Sequence, residues 1–81
     1  MKKKEIIEKI IQDALEYGSD VEAKVKEFET LGRVEFYKYG TYCTHFFKRY
    51  IPIDEKTILI KSWKDCGFSP MDIQKEVITC E

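Results

Sequence analysis

The side chains best equipped for covalent or metal chemistry are three cysteines and one histidine: Cys43, His45, Cys66 and Cys80. Thiolates and an imidazole can hold zinc, or they can pair as nucleophile and base. Their spacing fits neither use. Structural zinc sites take ligands in pairs about two to four residues apart on tight knuckles. Here 22 residues separate Cys43 from Cys66, and 13 separate Cys66 from Cys80. Cys43 and His45 stand two apart, and strand neighbours at that distance rarely meet in a productive geometry. No glycine loop is placed to stabilise an oxyanion or cradle a phosphate, and the carboxylates are scattered over polar faces. No catalytic, cofactor or metal site is expected, and the chain reads as non-enzymatic.

The next feature is a basic aromatic segment. Residues 33–50 hold seven of the eleven aromatic side chains, with four basic residues and one acidic residue. Residues 1–32 carry six basic and eight acidic groups and residues 51–81 carry four and six, so only the middle is positive. Rings among cations suit stacking on single-stranded nucleic acid. They equally suit a protein interface, where Tyr and Arg are common anchors and positive charge attracts an acidic partner. Seven rings in 18 residues exceed what one face of a hairpin or helix can bury, so some must be exposed. The residues expected to meet a partner are Tyr37, Lys38, Tyr39, Tyr42, Lys48 and Arg49.

A third pattern runs from Ile58-Leu59 through Trp63 to Cys66-Gly67-Phe68-Ser69, then to Ile73 and Val77. Over about residues 55–79 it resembles a helix-turn-helix motif: a glycine turn, an apolar residue after it, a capping serine and apolar residues beyond. The resemblance implies DNA binding, with a second helix in the major groove, Gln74 and Lys75 as contacts, and Lys61, Lys64 or Lys48 on phosphates. It departs from the motif at Trp63, where the first helix should present a small residue. Asp72 and Glu76 also place acids on the reading helix. The Gly-Phe-Ser turn is shared with three-helix modules of the ubiquitin-associated type, and Gly67 followed by Ser69-Pro70 is equally an ordinary corner between two helices.

These residues need elements to position them. Ile6, Ile7, Ile10, Ile11, Ala14 and Leu15 recur at helical spacing and predict an amphipathic helix ending near Gly18. Ser19 or Asp20 can cap a second helix, with Glu22 completing a box on Ser19. That helix buries Val21, Val25 and Phe28 and stops at Gly32. From Arg33 to Ile53 the strand formers predict a hairpin turning at Tyr39-Gly40-Thr41. Tyr42, Phe46, Phe47, Tyr50 and Ile51 also fit a third helix. After Pro52, Asp54 caps a helix over about 55–66, and Ser69-Pro70 opens a last one.

The expected fold is therefore mainly α, or α+β if the middle segment is a hairpin, with an N-terminal helical hairpin and a C-terminal helix pair. A chain of 81 residues supports one domain, 1–81, and leaves little room for an enclosed active site. No apolar run has the length of a membrane span, and the odd cysteine count suits reduced thiols, so a cytoplasmic protein with no membrane partner is expected. The lysine- and isoleucine-rich usage fits a low-GC bacterium or a phage. With a net charge of −1, strong non-specific nucleic-acid binding is not expected. The leading expectation is a small regulator or inhibitor that binds an acidic protein surface through the aromatic segment. The alternative is a helix-turn-helix DNA-binding regulator; homodimerisation is left open.

Overall fold

A computed structural model describes residues 3–66 and 71–79, with the side chains of residues 72 and 73 excepted. The expected turn at Gly67-Phe68-Ser69-Pro70 and the thiol of Cys80 lie outside the described residues. The chain forms helices α1 (Lys3–Glu16) and α2 (Val21–Leu31), then strands β1 (Val34–Tyr39), β2 (His45–Pro52), β3 (Thr57–Asp65) and β4 (Met71–Thr79). The strands pair antiparallel in chain order, so the fold is α+β: a helical hairpin and a four-stranded meander.

The helices stand where the apolar spacing puts them. Ile6, Ile10 and Ala14, four residues apart, turn one face of α1 into the core. Leu15, expected on that stripe, is 69% exposed, because it lies a further third of a turn round from Ala14. Asp20 rather than Ser19 caps α2, its carboxylate accepting from the Ala23 amide at 2.9 Å. Gly32 ends α2 in the left-handed region, at φ 71°, with its N–H donating to the Phe28 carbonyl at 2.8 Å.

The mainly α expectation is overturned in the C-terminal half. Residues 57–65 and 71–79 are strands, and the predicted helix pair is absent. The physical reason lies in the burial of β3. Ile58, Ile60 and Ser62 are buried and alternate with half-buried Leu59, Lys61 and Trp63, which is the period of a strand. β-branched Thr57, Ile58 and Ile60 favour that conformation. Asp54, read as a helix cap, instead shapes the β2–β3 turn. Its carboxylate accepts from the Lys56 amide at 2.8 Å while the Ile53 amide donates to the Thr57 carbonyl at 2.9 Å. That bond from Lys56, with help from Thr57, holds the Asp54 carboxyl below its ordinary value.

The middle segment is a hairpin, with its turn two residues later than expected. The Gly40 amide donates to the Thr44 carbonyl at 2.7 Å, and the Thr44 amide donates to the Thr41 carbonyl at 3.2 Å. Tyr42 and Cys43 between them are both left-handed, at φ 57° and 59°. A type I′ turn requires such a pair and usually has Asn-Gly there. Neither residue signals a turn, which is why the sequence placed it at the glycine.

Alternation along the strands separates two faces. One carries Val34, Phe36, Tyr50, Ile58, Ile60 and Ile78, which pack with Ile6, Ile10, Ala14 and Phe28 into a single core. The shortest molecular dimension, 17 Å, has room for one sheet and one helical layer. Within this core sits a charged group. Asp13 on α1 is 5% exposed and accepts from the Tyr50 hydroxyl at 2.6 Å and from Lys48 Nζ at 2.7 Å. These bonds tie α1 to β2, a central strand of the sheet.

Removing Asp13 strands a buried phenol and ammonium. Asp13→Ala should therefore cost about 3–5 kcal/mol in urea unfolding, and Tyr50→Phe about 1.5–3 kcal/mol. Burial, then the bond to Asp13, pushes the Tyr50 pKa far above its ordinary value. A group raised in the folded state stabilises fully below its unfolded value, near pH 10, and loses that contribution as pH climbs towards the folded value. Thermal melts between pH 8 and 11 should thus show the melting temperature of wild type falling faster than that of Tyr50→Phe. Parallel pH profiles would refute this role for Tyr50.

Candidate functional site

Among the described residues, the other face of the sheet has no helical cover. It carries Glu35, Tyr37 and Tyr39 from β1, His45, Phe47, Arg49 and Ile51 from β2, and Leu59, Lys61, Trp63 and Asp65 from β3. Lys75 and Val77 of β4 complete it. Cross-strand register sorts these residues into bands. Ile51, Leu59 and Val77 form an aliphatic band, Val77 being 62% exposed. Glu35, Arg49, Lys61 and Lys75 lie side by side across all four strands. Tyr37, Phe47 and Trp63 form the next row, followed by Tyr39, His45 and Asp65.

The aromatic rows lock into a ladder. Phe47 and Trp63 stack at 5.2 Å between centroids and 10° between planes. Tyr37 packs on Phe47 at 5.3 Å and stacks on His45 at 5.5 Å, and Tyr39 meets the imidazole edge-on at 4.9 Å. The Tyr37 hydroxyl is 2.6 Å from His45 Nδ1. Arg49 Cζ lies 5.2 Å from the Trp63 ring centre and Lys61 Nζ lies 5.8 Å from it. Phe47 and Trp63 therefore turn ring faces to each other, and two cations lie over the indole. A hydrogen bond with Cys43 holds the Tyr39 phenol above its ordinary value.

The expected partner-binding residues divide between the two faces. Tyr37, Tyr39 and Arg49 come together on the open face. Tyr42 projects from the hairpin tip, 95% exposed. Lys38 and Lys48 turn to the helix side. Lys38 lies over Tyr17 at 5.3 Å and Phe46 at 5.6 Å, while Lys48 is held by Asp13. The residues proposed for DNA also separate, since there is no helix to carry them. Lys61 and Lys75 are on the open face, whereas Lys64 pairs with Phe46, and Gln74 with Ser62, on the helix side.

His45, Phe47 and Trp63 were not singled out as interface residues, though they are the centre of the ladder. A period of two through Tyr37, Tyr39, His45, Phe47 and Arg49 is the signal that finds most of them. Of the candidate zinc ligands, His45 is engaged by Tyr37, and the Cys66 thiol lies 3.8 Å from the Thr44 hydroxyl. Among the described residues no three His, Cys, Asp or Glu groups converge as a metal site would need.

The ladder rings are half-buried or exposed, whereas Phe36 is buried beneath the helices. Trp63→Ala should lower stability by only about 1.5 kcal/mol, against about 3–5 kcal/mol for Phe36→Ala beneath the helices. Guanidinium chloride unfolding of the two variants makes the comparison; equal losses would mean that the open face is core.

Comparison with protein-family models, with curated proteins and with solved structures finds no match for this chain.

Proposed function

We propose that the protein is a small non-enzymatic regulator or inhibitor that binds another protein through the open face of its sheet. The observation that carries this reading is the uncovered ladder Tyr37–Phe47–Trp63 beside the charged row of Glu35, Arg49, Lys61 and Lys75. Aromatic rings and arginine anchor protein interfaces, and a contiguous exposed apolar patch on a small protein marks a contact surface. Arg49, Lys61 and Lys75 against Glu35 and Asp65 leave these charged residues of the open face with one net positive charge, which favours an acidic partner.

The ring geometry favours protein over single-stranded nucleic acid. Bases stack on open ring faces. Here the Phe47 and Trp63 faces meet each other, and Arg49 and Lys61 lie over the indole. The helix-turn-helix alternative has lost its recognition helix to β4. No helix among the described residues is long and apolar enough to cross a membrane. A cytoplasmic location fits Cys43 and Cys66, which are exposed and outside any disulfide.

Affinity capture from a host lysate tests the surface. Immobilised wild type should retain a defined set of proteins. Trp63→Ala and Tyr37→Ala should each lose the same members by about tenfold, while Lys26→Ala on the outer face of α2 keeps them. Identical retention by all four proteins would overturn the reading. So would saturable, salt-sensitive binding of a mixed-sequence single-stranded oligonucleotide that Trp63→Ala abolishes.

A further inference from the structure

At the corner of the open face where β1 begins and β2 ends, a cleft of about 320 Å³ is lined by Arg33, Glu35, Arg49, Tyr50, Ile51 and Pro52. Glu35 pairs with Arg49 in the β1–β2 register, and Arg33 stands immediately before β1. Two arginines thus line one cleft. Arg33 makes no ion pair among the described residues.

Arg49 is held in position. Its Nε lies 3.0 Å from Glu35 Oε1, and its guanidinium lies over Trp63 at 5.2 Å. Glu35 engages the Nε edge, which leaves the N–H groups of the two terminal nitrogens to present a fork. A planar fork of that kind matches the two oxygens of a carboxylate, and a guanidinium already fixed by stacking loses less freedom on binding. Charge selects the ligand further. Arg33 and Arg49 against Glu35 leave one net positive charge, which suits a monoanion; a dianion would add repulsion from Glu35.

We propose that this corner is a carboxylate subsite, which receives an aspartate or glutamate side chain of the protein partner end-on at Arg49, with Arg33 closing over it. The inference rests on the protein-binding reading of the open face and specifies the chemistry of the partner. Glu35 then serves as a placeholder, keeping Arg49 oriented while the site is vacant and competing with the incoming carboxylate.

The test is an NMR titration of the ¹⁵N-labelled full chain with an end-capped hexaglutamate peptide at low salt. The expected result is saturable shifts of the Arg33 and Arg49 Nε–H signals and of the Glu35 and Ile51 amides. Arg33→Ala and Arg49→Ala should weaken binding on the order of tenfold. Arg49→Lys should weaken it nearly as much, since it keeps the charge but loses the fork and the stacking. Glu35→Gln should tighten it. The three substituted positions, Arg33, Glu35 and Arg49, are exposed, and unchanged amide spectra of the free variants verify the fold.

Wild-type affinity in Arg49→Lys, or shifts confined to Lys61 and Lys75 with Arg33 silent, would overturn the subsite. Failure of the peptide to bind wild type would do the same. None of these results touches the loss of captured protein in Trp63→Ala, so the subsite can fail while the face stands. Retention of the peptide by wild type with lysate capture indifferent to Trp63→Ala would mean that the broader reading had failed instead.

Discussion

The arrangement of the molecule depends on the buried carboxylate of Asp13. A charge in an apolar core is tolerated only when its oxygens are satisfied. Here Tyr50 and Lys48, both on β2, supply the two donors. They are two residues apart and so share one face of the strand. The bonds therefore fix which side of β2 faces α1, and the strict alternation of a sheet carries that choice to its neighbours. Once Tyr50 and Lys48 point to the helices, Phe47 and Arg49 must point away from them. The same applies to Trp63 and Lys61 across the register. A one-residue slip of β2 would turn its whole set of side chains to the wrong face and leave Asp13 unpaired.

Both layers of the helix side are used up by this arrangement. Lys9 of α1 reaches Glu76 of β4 at 3.1 Å, and Lys24 of α2 donates to the Glu35 carbonyl of β1 at 2.6 Å, so the helical hairpin is fastened near both edges of the sheet. Two helices cover one face of four strands and leave nothing for the other. The uncovered face stays intact by a different device. Its rings stack along the strand-to-strand direction and its arginine lies on the indole, so apolar area is hidden sideways, between neighbours, rather than beneath a second layer.

How much of this was legible in the sequence follows from how local each signal was. The two helices were readable because Ile6, Ile10 and Ala14 repeat at a helical period and Gly32 ends the second helix, both short-range features. The hairpin was readable in kind, though not in register, because its turn is made by Tyr42 and Cys43, which take a left-handed conformation without the usual glycine. The C-terminal half was misread for a physical reason. Asp54 followed by Glu55 and Lys56 imitates a helix start, and in β3 the outward positions hold Leu59, Lys61 and Trp63, which are not uniformly polar. All three outward residues are half-buried, so the polar–apolar alternation that identifies a strand is blurred along β3. Lys48 misled in the opposite direction: a lysine suggests a surface, and only its long-range partner Asp13, 35 residues earlier, shows it to be structural.

The distribution of unfavourable features then distinguishes the two sides. On the helix side, every buried side-chain nitrogen and oxygen among the described residues has a hydrogen-bond partner, and the one buried carboxylate is doubly bonded. The departures from what stability alone would select lie elsewhere. Arg49, Lys61 and Lys75 are cross-strand neighbours of like sign, an arrangement that opposes sheet formation. Tyr42 and Cys43 adopt a backbone that costs on the order of 1–2 kcal/mol per residue, and they hold Tyr42 almost wholly in solvent at the tip of the β1–β2 hairpin. Tyr37 and Tyr39 remain 48% and 60% exposed. Natural sequences keep such local conflicts chiefly where a function requires them. The charged row and the exposed rings share the open face, and the strained turn closes the hairpin that carries Tyr39 and His45, so the proposed contact surface would account for them together.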